Sequence, residues 1–331
     1  MSSPSSAQAD RQPDRQPDTQ LRRGLWLGAL GVAIFALTLP MTRLAVGSPE
    51  APLMSGLFVA MGRAVVAAAL SALYLLATRA RWPSAEQRLP LLLTALGVVF
   101  GFPLFTSLAM RHVQAVHASV IVGLLPLATA AVGAVLHRQR PSWQFWAWAG
   151  LGSALVVVFA LTHAGGAGLG LSPADGLLLL AMASAAVGYA YGGRLSRQMP
   201  AEHVICWALL LGLPLTLPLA WGSRPEQALP TSAWLAFGYV ALFSMWLGFF
   251  AWYRGLALGG TVRVSQVQLL QPFLSMLFAV PLLGERLDLG TALFAAAVVL
   301  TVFLGRKSPV NAPTNTDNHV LSSLPTKGNA S

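Results

Sequence analysis

Apolar residues in this chain gather into runs of about twenty, divided by short polar breaks, and the runs recur along most of its length. A run of that length crosses the roughly 30 Å hydrocarbon layer of a bilayer as a helix. The pattern predicts spans at Gly24–Leu44, Pro52–Ala77, Pro90–Met110, Val116–Leu136 and Trp143–Leu161. A second set follows at Pro173–Gly193, His203–Trp221, Trp234–Tyr253, Val264–Leu283 and Thr291–Leu304. Many of the breaks carry Gly, Pro or Ser, the residues of tight turns. Residues 1–22, with their tandem Arg11-Gln-Pro-Asp and Arg15-Gln-Pro-Asp, and residues 306–331 are too polar to bury a core and read as disordered tails. Arg22 and Arg23 stand before the first run as they would in a targeting signal, but the run is long enough for a retained helix. The expected organisation is therefore an all-α membrane protein of ten spans, divided into units at 23–162 and 172–305.

Composition agrees with a lipid surrounding. Of 331 residues 55% are hydrophobic and 10% charged, against roughly 25% charged in soluble domains, and the mean hydropathy is +0.64. The net charge of +10 would suggest nucleic acid in a soluble protein. Here the basic residues stand singly or in pairs between apolar runs, form no basic face, and read as topology signals. With both termini cytoplasmic, most of them collect on the cytoplasmic side, including Arg138, Arg140, Arg194 and Arg197 in short loops; Arg43, Arg111, Arg224 and Arg286 fall opposite. The one cysteine, Cys206, lies in an apolar run, which excludes an intrachain disulfide and fits a buried thiol.

The chain also matches itself. Ser119, Pro126, Gln139 and Arg140 align with Ser265, Pro272, Glu285 and Arg286 at one offset of 146 positions (265 − 119). Those stretches belong to the fourth and ninth spans, an odd number of spans apart, so the two copies point in opposite directions through the membrane. A weaker match sets Leu37-Thr-Leu-Pro-Met-Thr-Arg-Leu44 on Gly188-Tyr-Ala-Tyr-Gly-Gly-Arg-Leu195. Inverted repeats of this kind are a common construction of secondary transporters, with the substrate near the midplane between the halves.

At these residues the chain resembles the EamA branch of the drug/metabolite transporter superfamily. The stretch from Tyr253-Arg-Gly-Leu-Ala-Leu258 through Pro272 to Leu283-Gly-Glu-Arg-Leu287 carries the likeness best. In that family each half typically ends its fourth helix with a Gly-Glu pair. The second half keeps Gly284 and Glu285, whereas the first has Arg138 and Gln139, which puts a symmetric role for the glutamate in doubt. The resemblance implies two inverted five-helix repeats, a bacterial inner-membrane location and a central cavity for amino acids, other metabolites or drug-like compounds. It also implies the lipid bilayer and a small-molecule substrate as partners, with a homodimer as one allowed assembly, no nucleic acid, no cofactor and no metal.

Several residues are candidates for the transport path. Arg63 falls near the middle of the second span, where a charge costs about 2.5–3.5 kcal/mol on insertion scales. It either faces a cavity, where a substrate carboxylate would pair with it, or caps helix-end carbonyls. In the ninth span Gln268, Gln271 and Ser275 share one helical face, which lines either the path or a helix contact. Pro126 and Pro272 each release a backbone carbonyl as they kink their helices. Trp246, Phe250 and Tyr253 share a face of the eighth span, and with Tyr189 and Tyr191 they form either a pocket wall or ordinary bundle packing. Thr38 and Pro40 in the first span, and Phe102, Pro103 and Thr106 in the third, complete the set.

No carboxylate lies deep in a span. Asp175, Glu202 and Glu285 sit at helix ends, and His117 is the only histidine near a span's interior edge. This leans toward facilitated diffusion over proton antiport. No HExxH motif, nucleophile with a nearby base or phosphate-cradling glycine loop points to an enzyme. The expected function is export of amino acids or related metabolites by alternating access; alternatives are a drug exporter of the same fold and a non-transporting scaffold or receptor.

Overall fold

A computed structural model describes residues 15–136, 140–163, 172–259, 264–307 and 310–311. Its helices follow the apolar runs. In chain order they are α1 (Arg15–Ala36, continued by Thr38–Val46), α2 (Gly56–Ala77), α3 (Ala85–Thr94, Ala95–Gly101 and Phe102–Ala109), α4 (Ala115–Val122 and Leu125–Leu136) and α5 (Trp143–His163). Then come α6 (Pro173–Leu195), α7 (Ala201–Gly222), α8 (Thr231–Tyr239, Val240–Leu247 and Gly248–Gly259), α9 (Ser265–Leu270 and Gln271–Leu283) and α10 (Leu289–Lys307). Among the described residues, α1 to α4 and α6 to α8 are seven helices long and apolar enough to cross a membrane. Shorter apolar stretches occupy Val267–Leu283 and Leu289–Thr301.

Several boundaries differ from the sequence expectation, each for a local reason. Helix α1 begins at Arg15, inside the stretch read as a disordered tail. Helix α2 starts at Gly56 rather than Pro52, because Gly47 takes a positive φ of 73° and pairs with Pro52 across a tight turn, and Ser55 then caps the helix by accepting from the Phe58 amide at 3.0 Å. Helix α3 starts before Pro90, at a capping box in which the Ser84 amide donates to Gln87 Oε1 at 3.0 Å. At the other end, Val310–Asn311 pairs antiparallel with Arg140–Pro141, so two residues of the expected carboxy-terminal tail are ordered against the α4–α5 connection. The remaining tail residues, 1–14, 308–309 and 312–331, lie outside the described residues, as do His137, Arg138 and Gln139.

Packing follows an exchange rule. Helix α1 lies along α8, and α3 lies along α6; α2 meets α7, α4 meets α9, and α5 meets α10. Exchanging the first five helices for the last five turns α1–α8 into α3–α6 and returns each of the other three pairs to itself. Both cross pairs run antiparallel and rest on glycine. A methyl group added at Gly24 would lie 2.5 Å from the Gly259 amide nitrogen, while Gly31 faces Trp252 and Gly248. Likewise a methyl at Gly97 would lie 2.5 Å from the Ser184 carbonyl oxygen, and Gly101 faces the Ser184 side chain. Backbones approach this closely in membranes through small residues, because lipid supplies no hydrophobic drive between helices.

Candidate functional site

The site begins with breaks in regular helix. Pro40 has no N–H to give to the Ala36 carbonyl four residues back, and Ser275 Oγ on α9 fills the gap, donating to Ala36 O at 2.6 Å. Helix α8 opens into a π-helical stretch over Val240–Leu247, and α3 does the same over Ala95–Gly101, at the matching place in the other half. Such stretches often mark functional sites. The one in α8 turns Ser244 and Met245 inward toward α1 and α2. The Ser244 and Thr38 hydroxyls share a hydrogen bond of 2.8 Å.

Arg63 enters this cluster from α2. It is 2% exposed, yet its contacts are weak: Nη2 donates to Ser244 Oγ at 3.3 Å and reaches Met245 Sδ at 3.6 Å. Nε and Nη1 have no acceptor. The alternative role considered for Arg63, capping helix-end carbonyls, is filled by other residues. Arg43 Nη1 donates to the Met110 and Arg111 carbonyls at 2.5 and 2.6 Å, and Arg111 Nη2 donates to Met54 O at 2.7 Å. At the same end of the bundle, Glu285 accepts from the Ala115 and Val116 amides, both at 2.8 Å, which places a carboxylate on the N-terminus of α4.

Two cavities, each about the size of one water molecule, lie deep in the bundle and share Gln271 as a wall. One is lined by Arg63, Thr38, Phe102, Tyr189, Ser244 and Phe249 among others. The second lies between α4 and α9, lined by Ser119, Pro126, Gln268, Pro272 and Ser275. Gln268 is buried there with neither its oxygen nor its nitrogen bonded. Above Arg63, the Phe35 ring packs on Phe249 at 5.1 Å and on Tyr189 at 6.4 Å between centroids, so one wall of that cavity is aromatic.

The remaining sequence candidates lie elsewhere. Trp246 and Phe250 pack with Tyr74 at 6.3 and 5.0 Å, on the α2–α7–α8 side. Tyr253 is fully buried and donates to Gly188 O at 3.3 Å; a methyl at Gly192 would coincide with its hydroxyl. Tyr191, Pro40 and Thr106 line neither cavity, though Thr106 keeps a buried hydroxyl without a partner. Ser244, Phe35 and Phe249 do line the Arg63 cavity and escaped the sequence reading. A serine or phenylalanine inside an apolar run carries no signal until a neighbouring helix is placed on it. His117, read from sequence as a lone histidine, instead meets Asp175 of α6 at 2.7 Å, while Asp175 also accepts from the Ser172 amide and hydroxyl.

A helical bundle of two exchangeable halves, with a buried polar cluster where they meet, has the build of a multi-pass membrane carrier. The chain belongs to the EamA-like transporter family, whose sequence model matches residues 22–162 and 172–305. It is 43% identical over 286 residues to a Bacillus subtilis (strain 168) protein described as the uncharacterized transporter YdeK, a match covering 85% of this chain and 96% of that one. A crystal structure described only as that of a protein is similar at TM-score 0.58 and 21% identity, over 85% of this chain and 95% of that one, which speaks to the fold alone.

Proposed function

We propose that the protein exports amino acids or related carboxylate-bearing metabolites across the bacterial inner membrane by alternating access, with the site between its halves at Arg63. The observation that carries this reading is the buried Arg63 guanidinium, which lines a cavity with two nitrogens unpaired and no carboxylate among the described residues lining that cavity. An intramembrane charge left so poorly satisfied is costly unless it meets a ligand. In this reading the ten helices all span, the repeats are inverted and both termini are cytoplasmic. The antiparallel contacts of α1 with α8 and α3 with α6 support the inversion, and the charge sorting of the short loops supports the orientation. The Arg43, Arg111 and Glu285 contacts act as the latch that closes the end opposite the termini. A drug exporter of the same fold is the competing substrate class.

Flux proceeds by facilitated diffusion, because no described carboxylate lines either cavity. The His117–Asp175 pair favours a second reading, proton coupling, as a partly buried imidazole in contact with a buried carboxylate. Counterflow in proteoliposomes with and without a pH gradient separates the two. Downhill flux indifferent to the gradient is expected; accumulation driven by the gradient and abolished in His117→Gln would favour the second reading. A folded protein that moves no amino acid, organic acid or cationic drug would remove the transport reading.

A further inference from the structure

We infer that the site at Arg63, which encloses only about one water molecule here and widens as the halves part in the proposed transport cycle, selects an aromatic monocarboxylate without an ammonium group, so that the preferred solute is an organic anion and not a zwitterionic amino acid. This rests on the proposed function and narrows its substrates to the second class named there, carboxylate-bearing metabolites other than amino acids. Three features of the cavity carry the inference. First, the cation is available: Nε and Nη1 of Arg63 have no acceptor, and Nη2 is engaged only by the long contacts to Ser244 and Met245. Each fork of the guanidinium therefore has one free arm, and a carboxylate that displaces one of the long Nη2 contacts completes the bidentate pairing to which arginine is best suited.

Second, a positive group finds no counter-charge. Every acidic side chain in the described helices stands at an end, as Asp175, Glu202 and Glu285 do, or in a connection, and none lines either cavity. The groups facing Arg63 are neutral: the hydroxyls of Thr38, Ser244 and Tyr189 and the Gln271 amide. An ammonium held beside Arg63 would be desolvated next to a like charge, the arrangement that low-dielectric surroundings penalise most. Aromatic faces can bind ammonium groups, but beside Arg63 the repulsion of a like charge in desolvated surroundings opposes that attraction. Third, Phe35, Tyr189 and Phe249 form the apolar wall next to the guanidinium, which suits a flat ring carried a short distance from the carboxylate. The neighbouring cavity adds the unpaired Gln268 amide, an uncharged donor and acceptor that accommodates a hydroxyl or carbonyl substituent.

The test uses the full chain in lipid nanodiscs and three probes sharing a phenyl ring on a two-carbon arm: 3-phenylpropionate, L-phenylalanine and phenethylamine. Binding is read by titration calorimetry, and counterflow of the same compounds is read in proteoliposomes. The expectation is that 3-phenylpropionate binds at least about tenfold more tightly than either amine-bearing probe, and that Arg63→Gln lowers its affinity by about 10- to 100-fold, the loss of a charge-assisted pair. Arg63→Lys, which keeps the charge without the fork, should fall between, and guards against a Gln variant that fails to fold. Equal or tighter binding of L-phenylalanine or phenethylamine overturns the inference, as does binding of no probe or unchanged affinity in a folded Arg63→Gln protein. Counterflow of L-phenylalanine with no preference for 3-phenylpropionate would sink this selectivity and leave the transport reading standing. Tight binding of 3-phenylpropionate without flux of any probe would do the reverse.

Discussion

The two halves of the chain agree where they build the scaffold and differ where they build the site. The glycine contacts of α1 with α8 are repeated by α3 with α6, and the π-helical stretch of α3 is repeated in α8. Pro126 and Pro272, one from each half, line the same cavity, with Gly123 packed on the Pro272 ring. Arg63 breaks the pattern. It stands seven residues after the start of α2 (63 − 56), and the corresponding place in α7 (208 − 201) holds the buried Ala208. Likewise Glu285 caps α4, whereas the aligned residue of the first half is Gln139. In the proposed function the two similar bundles rock against each other and the single cation gives the path between them one charged wall. A solute held at Arg63 would then lie between the first half's α2 and aromatic residues drawn from both halves.

Substitutions test how far the two halves are equivalent. The largest structural effect is expected at the glycine contacts: Gly24→Ala and Gly97→Ala should each destabilise by about 1–3 kcal/mol, because an added methyl meets backbone atoms that cannot step aside. Thermal unfolding in nanodiscs checks this, and losses that differ greatly between the two would deny that the halves are equivalent. Next is the Pro40–Ser275 pair. Ser275→Ala orphans the Ala36 carbonyl and should cost about 1–3 kcal/mol, but much less in a Pro40→Ala background, where an amide is restored to that carbonyl. A double-mutant cycle without coupling would sever the link between the α1 break and α9.

A smaller effect belongs to the asymmetric cap. Glu285→Gln keeps an acceptor for only one of the Ala115 and Val116 amides, turns an NH2 toward the other and removes the charge from the α4 N-terminus, for a loss of about 0.5–1.5 kcal/mol. A loss of several kcal/mol would show that the carboxylate does more than complement the helix dipole. Smallest of all is the exposed Arg254–Glu202 contact, 3.0 Å long with the arginine side chain 63% exposed; Arg254→Ala should cost less than about 1 kcal/mol.

Much of the scaffold was legible in the sequence, because apolar run length is a direct consequence of bilayer thickness and the 146-residue offset exposes the duplication. Helix starts were less legible: the turn at Gly47 and the Ser84 capping box override the first apolar or proline residue. Within the site, Arg63, Thr38, Gln268, Gln271 and Ser275 stood out as polar residues inside apolar runs, and the structure lines the two cavities with them. Phe102, Tyr189, Pro126 and Pro272 join them there, whereas Trp246, Phe250 and Tyr253 pack between helices instead. Aromatic residues on one helical face look the same in sequence whether they line a path or a helix contact; only the partner helix decides. The His117–Asp175 contact was illegible for a related reason, since it joins α4 to α6 across 58 positions.

One buried cation, unmatched in the second half, is proposed to hold the solute, and proteoliposome flux compared with thermal unfolding for the wild type and Arg63→Gln at equal reconstitution tests it. Flux should fall by about 10- to 100-fold, with the melting temperature unchanged or raised as an unpaired buried charge is removed. Unchanged flux from a folded Arg63→Gln protein would contradict it.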